Sequence, residues 1–186
     1  MELKFKFKSF LVRFAADFIY RPQILVTGTT SVCADQEVCI YLDYDKMDQD
    51  AVERELVHFQ TAFDIGDFLL FCSSEHNFHA VSFSKMKMRE FITLLENSNV
   101  DIAFARVPRF FSLRSFVLRN FEKGTGKDRP QLLKTLKHST HRKQSLAHYN
   151  YFKALYPGIK KNKLINSDGL EELDVITYKT GSKIIW

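Results

Sequence analysis

The chain has 186 residues, of which 45% are hydrophobic and 14% aromatic, and this composition excludes a disordered chain. The length predicts one domain spanning residues 1–186. Its three cysteines have no C-x-x-C spacing, which argues against a zinc ribbon or a disulfide scaffold. No apolar run approaches membrane-spanning length, and the N-terminus lacks the apolar core of a signal peptide. We therefore expect an intracellular, cytoplasmic protein (nuclear or organellar in a eukaryote) with free thiols and no membrane partner.

Charge is distributed unevenly along the chain. The net charge is +5, but residues 106–163 contain 15 Lys and Arg against two acids, so this segment carries +13 and the remainder −8. Segregation on this scale indicates a basic surface for a polyanion, and the alternative is an ordinary solvated face.

The first 42 residues predict a strand, a helix and two further strands. Apolar residues alternate with lysine at the start, which is typical of a strand, and Phe10, Phe14 and Phe18 then recur every fourth residue, which is typical of a helix. Pro22 ends that helix. The three predicted strands are Leu3–Phe7, Gln23–Thr27 and Glu37–Leu42.

Residues 37–118 predict the order strand, helix, strand, turn, strand, helix, strand, strand. Asp48 is the expected cap of the first helix and Gly66 its end, while Ser84 is the expected cap of the second. The later strands are predicted at Phe68–Cys72, Ala80–Phe83, Val100–Ala105 and Phe110–Leu118.

Two helices against one mainly antiparallel sheet form the split βαβ arrangement of ferredoxin-like and RNA-recognition folds. Beyond it, Leu132–Tyr156 predicts one or two basic helices, and Leu173–Trp186 predicts a returning strand. The expected class is therefore α+β, with a split βαβ sheet core and flanking N- and C-terminal helices.

Three acidic residues are the candidate catalytic and metal-binding groups. Asp43 and Asp45 end an apolar strand and alternate along it, so their carboxylates point to the same side. Carboxylates held that close repel each other unless a cation lies between them, and hard oxygen ligands suit Mg²⁺ or Mn²⁺. Asp101 begins another predicted strand, which the split βαβ order places beside that of Asp43. Asp174 is the competing third acid.

A polar turn, SSEHNFH at residues 73–79, lies between two predicted strands. The Ser73 hydroxyl, the backbone N–H groups and the His79 imidazole are donors that suit a phosphate tail. A zinc site at His76 and His79 lacks a third nearby ligand, and the plain alternative is a polar hairpin turn.

The chain resembles the archaeo-eukaryotic primase superfamily, the catalytic core of primases and primase-polymerases, in the order of three motifs. These are DYD, then S-x-x-H-x-x-H, then an Asp after an apolar residue. That family carries D-x-D/E, then a Ser-to-His motif, then a third acid. Ser73 and His79 match the family's Ser and His, and His76 stands where a basic residue is usual. Asn77 replaces the usual Gly and should still allow a left-handed backbone. The resemblance covers about residues 37–119.

The resemblance implies template-dependent nucleotidyl transfer, in which DNA or RNA primers are made or extended from nucleoside triphosphates. Two Mg²⁺ or Mn²⁺ ions would be bound by the three acids, and the incoming triphosphate by Ser73, His76 and His79 of the turn. Arg109, placed eight residues after Asp101 and followed by the aromatic Phe111 as in primase-polymerases, or Arg114, would neutralise phosphate.

The basic C-terminal region, about residues 120–163, would grip the DNA template and primer through salt-dependent phosphate contacts. Tyr149, Tyr151 and Phe152 are candidates for stacking on bases, although such side chains more often pack a helix. The expected phosphate-contacting residues are Arg119, Lys123, Lys127, Arg129, Arg142 and Lys143.

The chain departs from the family by lacking the cysteine set of its zinc module and any helicase or separate primase C-terminal domain. It is then either a minimal catalytic domain, cut from a longer protein, or the partner of a helicase or accessory primase subunit. The alternative function is a non-catalytic nucleic-acid-binding module on a ferredoxin-like fold. A nuclease or a replication initiator is a third possibility, and the His-apolar-His pair of nicking initiators is absent.

Overall fold

The structure is a computed structural model. It describes the backbone of residues 2–7, 10–15, 24–33, 35–110, 116–120, 128–159 and 175–180, and the side chains of residues 28–33, 35–106, 116–120 and 128–159. Four residues with predicted binding roles lie outside the described residues: Arg114, Lys123, Lys127 and Asp174.

Strands and helices alternate through the described chain. The strands are β1 (Glu2–Phe7), β2 (Phe10–Ala15), β3 (Ile24–Thr30), β4 (Val38–Asp45), β5 (Phe68–Ser74), β6 (Asn77–Met86), β7 (Val117–Arg119), β8 (Gln131–Leu136) and β9 (Val175–Thr180). The helices are α1 (Gln49–Phe63), α2 (Met88–Glu96), α3 (Ile102–Phe110) and α4 (Leu146–Leu155).

The described strands form three antiparallel sheets, with the orders β1-β2, β7-β3-β9 and β4-β6-β5-β8. In the four-stranded sheet, β4 and β5 run parallel to each other because both pair antiparallel with β6 between them. Helix α1 connects β4 to β5, so these elements form a split βαβ unit. The fourth strand, β8, pairs with β5, whereas a ferredoxin-like sheet places its fourth strand at the opposite edge.

The four-stranded sheet has a hydrophobic core on each face, because alternate residues of a strand point to opposite sides. Ile40 and Leu42 of β4 belong to the core that includes α1 and α2. Cys39 and Tyr41 of the same strand belong to the core that includes α4. We call the second side the α4 face. Both cores are rich in aromatic side chains, and the structure is α+β with antiparallel sheets.

Two predicted helical segments are strands. Residues 10–15 form β2, and the predicted helix of Phe10–Phe18 is wrong there, because a spacing of four residues satisfies both the strand and the helix period. Gln131–Leu136 forms β8, where one or two helices were predicted over Leu132–Tyr156. Its pairing with the edge of β5 supplies the backbone hydrogen bonds that a helix would otherwise make. The helix prediction holds for α4, and the predicted tail strand is confirmed by β9.

The predicted strand Val100–Ala105 is wrong, because helix α3 begins at Ile102 and Asp101 caps it. Its carboxylate accepts a hydrogen bond from the backbone N–H of Phe104 at 2.8 Å, and its carbonyl accepts from Ala105 at 3.0 Å. This is the geometry of a helix N-cap, for which aspartate is among the preferred residues. Of the strand predicted over Phe110–Leu118, the structure has β7, and Phe110 ends α3.

The expected helix boundaries need smaller corrections. Helix α1 ends at Phe63, and Asp64 is its C-cap, with a left-handed backbone and an N–H that donates to the Gln60 carbonyl, so Gly66 does not end the helix. Gly66 instead allows close packing, since a Cβ there would lie 2.7 Å from the Gln144 side chain. Ser84 belongs to β6 and accepts the Gly66 N–H at 2.9 Å, while Lys87 holds the N-cap position of α2. Asp48 holds the expected N-cap position of α1, without a side-chain capping bond.

Within the described residues, no helix is both long enough and apolar enough to span a bilayer.

Gln60 connects α1 to two neighbouring segments. It is 2% exposed, and its amide donates to the carbonyls of Gly66 at 3.1 Å and Leu136 at 3.0 Å. Gln60→Leu keeps the volume and leaves both buried carbonyls without this donor, so we expect the free energy of unfolding to fall by about 2 kcal/mol. Urea denaturation measures the change. Gln49→Leu, on the exposed first turn of the same helix, is the control and should cost less than about 0.5 kcal/mol. Equal losses in the two variants would contradict the role given to Gln60.

Candidate functional site

The candidate site lies on the α4 face, where β4 ends and β6 begins. Asp43 and His79 are direct cross-strand partners, and Oδ1 of Asp43 lies 3.4 Å from Nε2 of His79. The side chains are 29% and 9% exposed, respectively. The alternation of each strand places both beyond the core residues Tyr41 and Val81 on the same face. A carboxyl and an imidazole are thereby held together at the boundary between core and solvent.

Asp101 reaches this site through its backbone. Its N–H donates to the Asp43 carbonyl at 2.7 Å, so the start of α3 lies beside the end of β4. Glu55 of α1 supports this position, because its carboxylate accepts from the Tyr44 hydroxyl at 3.1 Å and from the Asn99 N–H at 3.0 Å. The expected proximity of Asp101 to the strand of Asp43 therefore occurs, although a helix cap brings it about.

The environment of Asp43 disfavours its charge. Burial, with smaller contributions from the negative charges of Asp45 and Asp101, raises the pKa of Asp43 to about 7, while the positive charge of Arg119 acts in the opposite direction. Asp45 itself is exposed at the end of β4. The three predicted acids therefore interact electrostatically.

His79 is also disfavoured as a charged group. Burial, with a smaller contribution from the positive charge of Arg119, lowers the pKa of His79 to about 3. The imidazole is consequently neutral at physiological pH, and its contact with Asp43 is not an ion pair between two full charges. A neutral imidazole can orient a carboxyl through a hydrogen bond, and it can donate to a phosphate without adding charge.

The polar turn predicted between two strands joins β5 to β6. The Ser73 hydroxyl donates to the Asn77 carbonyl at 3.3 Å, and the Asn77 amide donates to the Ser74 hydroxyl at 2.7 Å. The left-handed residue of the turn is His76, with φ 57°, and not Asn77 as expected. The His76 side chain is 59% exposed and lies 3.7 Å from the Asp48 carboxylate. His76 thus faces solvent beside Asp48, whereas His79 faces Asp43.

Among the residues whose side chains the structure describes, Arg119 is a cation that acts on the site. Its guanidinium donates to the Asp128 carbonyl at 2.7 Å and to the Ser73 carbonyl at 3.4 Å. Its charge also acts on both Asp43 and His79. The sequence predicted Arg119 as a contact for nucleic acid and named Arg109 or Arg114 for the triphosphate. Of these two, Arg109 lies in α3.

The remaining basic residues have diverse surroundings. The guanidinium of Arg142 pairs with Glu90 and donates to the Phe63 carbonyl at 2.7 Å. Arg142, which was expected to contact nucleic acid, therefore connects its own segment to α1 and α2. Arg129 is exposed and lies over the Tyr156 ring at 5.2 Å. Lys143 is exposed as well.

The aromatic side chains of α4 belong mainly to the core. Tyr149 and Phe152, expected candidates for base stacking, are 5% and 1% exposed. They pack against Phe83 of β6, with ring centroids 5.7 Å away in each case. Neither ring can stack on a base in this position, and the helix-packing alternative holds for both.

A second group of chemically capable side chains lies elsewhere on the α4 face, and the sequence analysis did not identify it. Cys33, Cys39 and His148 are the only described His, Cys, Asp and Glu residues that bring three potential ligand atoms within 4.8 Å of one another. The carboxylate oxygens of Asp43, Asp45 and Asp101 do not all lie within 4.8 Å of one another. A hydrogen bond with Cys39 lowers the pKa of the Cys33 thiol to about 6 despite its burial. The Cys-x₅-Cys spacing was the available sequence signal, and His148 is distant in the chain.

Comparison with protein-family models, curated proteins and solved structures gave no match. The fold and the site together define an α+β protein with a partly buried carboxyl–imidazole pair, two neighbouring acids and an arginine.

Asp43 should make the stability of the metal-free protein depend on pH. Its pKa is about 7 in the folded protein and about 3.9 in an unfolded chain. The protonated carboxyl therefore stabilises the fold below about pH 4, and this contribution is lost as pH rises toward and through 7. We expect the free energy of unfolding to fall by on the order of 2–4 kcal/mol more in the wild type than in Asp43→Asn over this range.

Urea denaturation between pH 4 and 8 in a chelating buffer tests this expectation. Subtraction of the Asp43→Asn curve isolates the Asp43 contribution from that of other groups. Asp50→Asn, at an exposed position on α1, is the control and should retain the wild-type slope. Parallel curves for the wild type and Asp43→Asn would show that Asp43 has an ordinary pKa.

Proposed function

We propose that the protein is a small primase-polymerase catalytic core that makes or extends DNA or RNA primers from nucleoside triphosphates. The observation that carries this proposal is the Asp43–His79 pair on adjacent strands, with Asp45 and Asp101 within electrostatic range. A protein that only binds nucleic acid gains nothing from burying an acid near two further acids, since phosphate repels carboxylate. The resemblance of DYD, the Ser-to-His turn and the third acid to the archaeo-eukaryotic primase superfamily points to the same function.

The acidic residues fit a pair of divalent metal ions by the chemistry of their donors. Asp43, Asp45 and Asp101 offer hard oxygen ligands of the kind that Mg²⁺ and Mn²⁺ prefer. Burial is the main cause of the raised pKa of Asp43, and the repulsion by Asp45 and Asp101 that adds to it is the kind that a bound cation relieves. When bound, such ions neutralise the triphosphate and lower the pKa of the attacking hydroxyl.

The other residues of the site orient and bind. His79 holds the Asp43 carboxyl in one direction, as the partners of metal-binding carboxylates commonly do. Arg119 supplies positive charge for the triphosphate and, because it contacts the Ser73 carbonyl, joins that charge to the turn. The Ser73 hydroxyl and the backbone N–H groups of the turn supply hydrogen bonds to phosphate oxygens.

Template and primer would lie along the basic residues that follow α3. Exposed Arg129 and Lys143 are the described candidates for contacting their phosphates. These contacts are electrostatic, so DNA binding should weaken steeply with salt. The split βαβ unit supports a primase-type sheet as the platform. The proposed enzyme would also bind a helicase or an accessory primase subunit. It would act in the cytoplasm, the nucleus or an organelle.

The alternative is a non-catalytic nucleic-acid-binding module on the same sheet. The position of Arg142 argues against a broad basic surface, because its charge is already neutralised by Glu90. The aromatic rings of Tyr149 and Phe152, which a binding module would expose, are buried. A catalytic core would need such contacts as well, so the acids around Asp43 are what distinguishes the two proposals.

Primer extension tests the proposed activity directly. The protein is incubated with a primed DNA template, labelled nucleoside triphosphates and Mn²⁺ or Mg²⁺, and the products are separated on a denaturing gel. We expect extended products from the wild type and more than a 100-fold loss in Asp43→Ala, since partners of metal ligands alone commonly contribute about 10–100-fold. His79→Ala should lose about 10–100-fold for that reason.

Asp50→Ala is the control for Asp43→Ala, because it removes an exposed aspartate from α1; it should extend primers at the wild-type rate. Absence of products with either metal, combined with salt-sensitive DNA binding, would replace the catalytic proposal with the binding module. Products that persist in Asp43→Ala would remove the acidic site from the proposal.

Arg119 should affect nucleotide binding more than the chemical step. A hydrogen bond to a charged group contributes about 1.5–3 kcal/mol, and every 1.4 kcal/mol is about tenfold in affinity. We therefore expect Arg119→Ala to raise the KM for the nucleoside triphosphate by about 10–100-fold, with a smaller change in kcat. Steady-state extension kinetics measure both constants. Arg89→Ala, which removes an exposed arginine from α2, is the matched control, and an equal rise in KM there would contradict a specific role for Arg119.

A further inference from the structure

Three buried side chains from separate parts of the chain meet on the α4 face. Cys33 lies just after β3, Cys39 lies on β4, and His148 lies in the first turn of α4. Their relative exposures are 2%, 0% and 0%. A backbone hydrogen bond from Cys33 to Glu37 at 2.8 Å holds the connection between β3 and β4 in a tight turn, so Cys33 lies close to Cys39.

We propose that Cys33, Cys39 and His148 bind a structural Zn²⁺ ion. The two sulfur atoms are 3.7 Å apart. Zinc–sulfur bonds are about 2.3 Å long, and two such bonds at a tetrahedral angle place the sulfurs about 3.8 Å from each other. One ligand atom from each of the three residues lies within 4.8 Å of the other two, so the set can surround one ion with little movement.

The hydrogen bonds of His148 prepare its ring to be a ligand. Nε2 lies 2.9 Å from the Thr30 carbonyl, and because a carbonyl can only accept, Nε2 carries the proton. Nδ1 is then unprotonated, and its lone pair accepts a hydrogen bond from the Ser145 hydroxyl at 2.7 Å. A metal ion bound at Nδ1 would take the place of that hydrogen. A backbone carbonyl that fixes the other ring nitrogen is the usual outer partner of a zinc-binding histidine.

The charge balance favours zinc. Two thiolates and a divalent cation sum to zero, and a neutral cluster costs less to bury than isolated thiolates. The nearby Lys85, which is 3% exposed, is already paired with Asp35 at 3.0 Å. Sulfur and imidazole ligands suit zinc, whereas the carboxylates near Asp43 suit Mg²⁺ or Mn²⁺.

Zinc at this position would fasten the β3–β4 connection and α4 to the sheet. Cys39 precedes Asp43 by four residues on β4, and an even spacing puts both side chains on the α4 face, about 14 Å apart. The ion would therefore stabilise the strand that carries the candidate site, without taking part in its chemistry. This inference does not depend on the proposed activity.

Metal analysis of the full chain tests the proposal. The protein is expressed in zinc-supplemented medium and purified under reducing conditions, and zinc is measured by elemental mass spectrometry against protein concentration. We expect about one zinc per chain in the wild type and a loss of at least tenfold in occupancy in Cys33→Ser, Cys39→Ser and His148→Ala. Cys72→Ser is the matched control, because Cys72 lies outside the cluster, and it should retain zinc. Asp43→Ala should retain zinc too.

Cobalt titration of the wild-type protein, stripped of metal, keeps the test informative if the variants fail to fold. Co²⁺ bound by two thiolates gives a strong thiolate-to-cobalt charge-transfer band in the near ultraviolet and tetrahedral bands in the visible, and both should saturate at one equivalent. Zn²⁺ should then abolish both sets of bands.

Three results would overturn the proposal. The first is zinc occupancy near zero both after purification and after reconstitution, with no tetrahedral cobalt spectrum. The second is full occupancy in folded Cys33→Ser, which would place the metal elsewhere. The third is a Cys33–Cys39 disulfide, identified by peptide mass spectrometry of the chain purified under mildly reducing conditions.

Discussion

The confinement of the Asp43 carboxyl beside the His79 imidazole is the constraint on which the candidate site depends. The pairing of β4 with β6 fixes the two groups as cross-strand partners, and the packed residues below them exclude water from one side. Burial therefore moves both groups toward their uncharged forms. Such a pair is expensive to maintain unless a ligand uses it, because hydrophobic residues of similar size would pack there without losing hydration. The neighbouring acids add to this cost, and a bound cation would reduce it.

The two faces of the four-stranded sheet have different roles. The face covered by α1 and α2 is packed with apolar side chains, and its buried Gln60 is satisfied by two carbonyls. The α4 face combines an aromatic core with both chemically capable groups, Asp43 with His79 at the strand ends and Cys39 with Cys33 and His148 farther along β4. Both faces thus contribute a packed core, and the side chains with possible functions lie on the α4 face.

Local patterns predicted much of the fold, and tertiary contacts determined the rest. The alternation of β4 and the helical spacing of α1 were sufficient to place both elements, and the order of β4, α1, β5 and β6 predicted a split βαβ unit. Asp101 was expected on a strand because a short apolar run fits either a helix or a strand, and a capping hydrogen bond decides for the helix. The distance of Arg119 from Asp43 along the chain could not assign it to the site, because β7, which carries Arg119, pairs with β3 in another sheet. The pairing of His148 with two distant cysteines likewise has no local signature.

The two proposed metal sites differ in ligand softness and in access, and this difference makes their coexistence on one strand physically reasonable. Hard carboxylates at the solvent boundary favour ions that exchange readily and keep some of their water. Buried thiolates and an imidazole favour an ion that stays bound through the lifetime of the fold. Zinc at the carboxylates would gain no sulfur ligand, and Mg²⁺ at the cysteines would lose its preferred oxygens. The sequence of β4 therefore separates the two ions by donor type, since Cys39 and Asp43 share a face but offer ligands that select different metals.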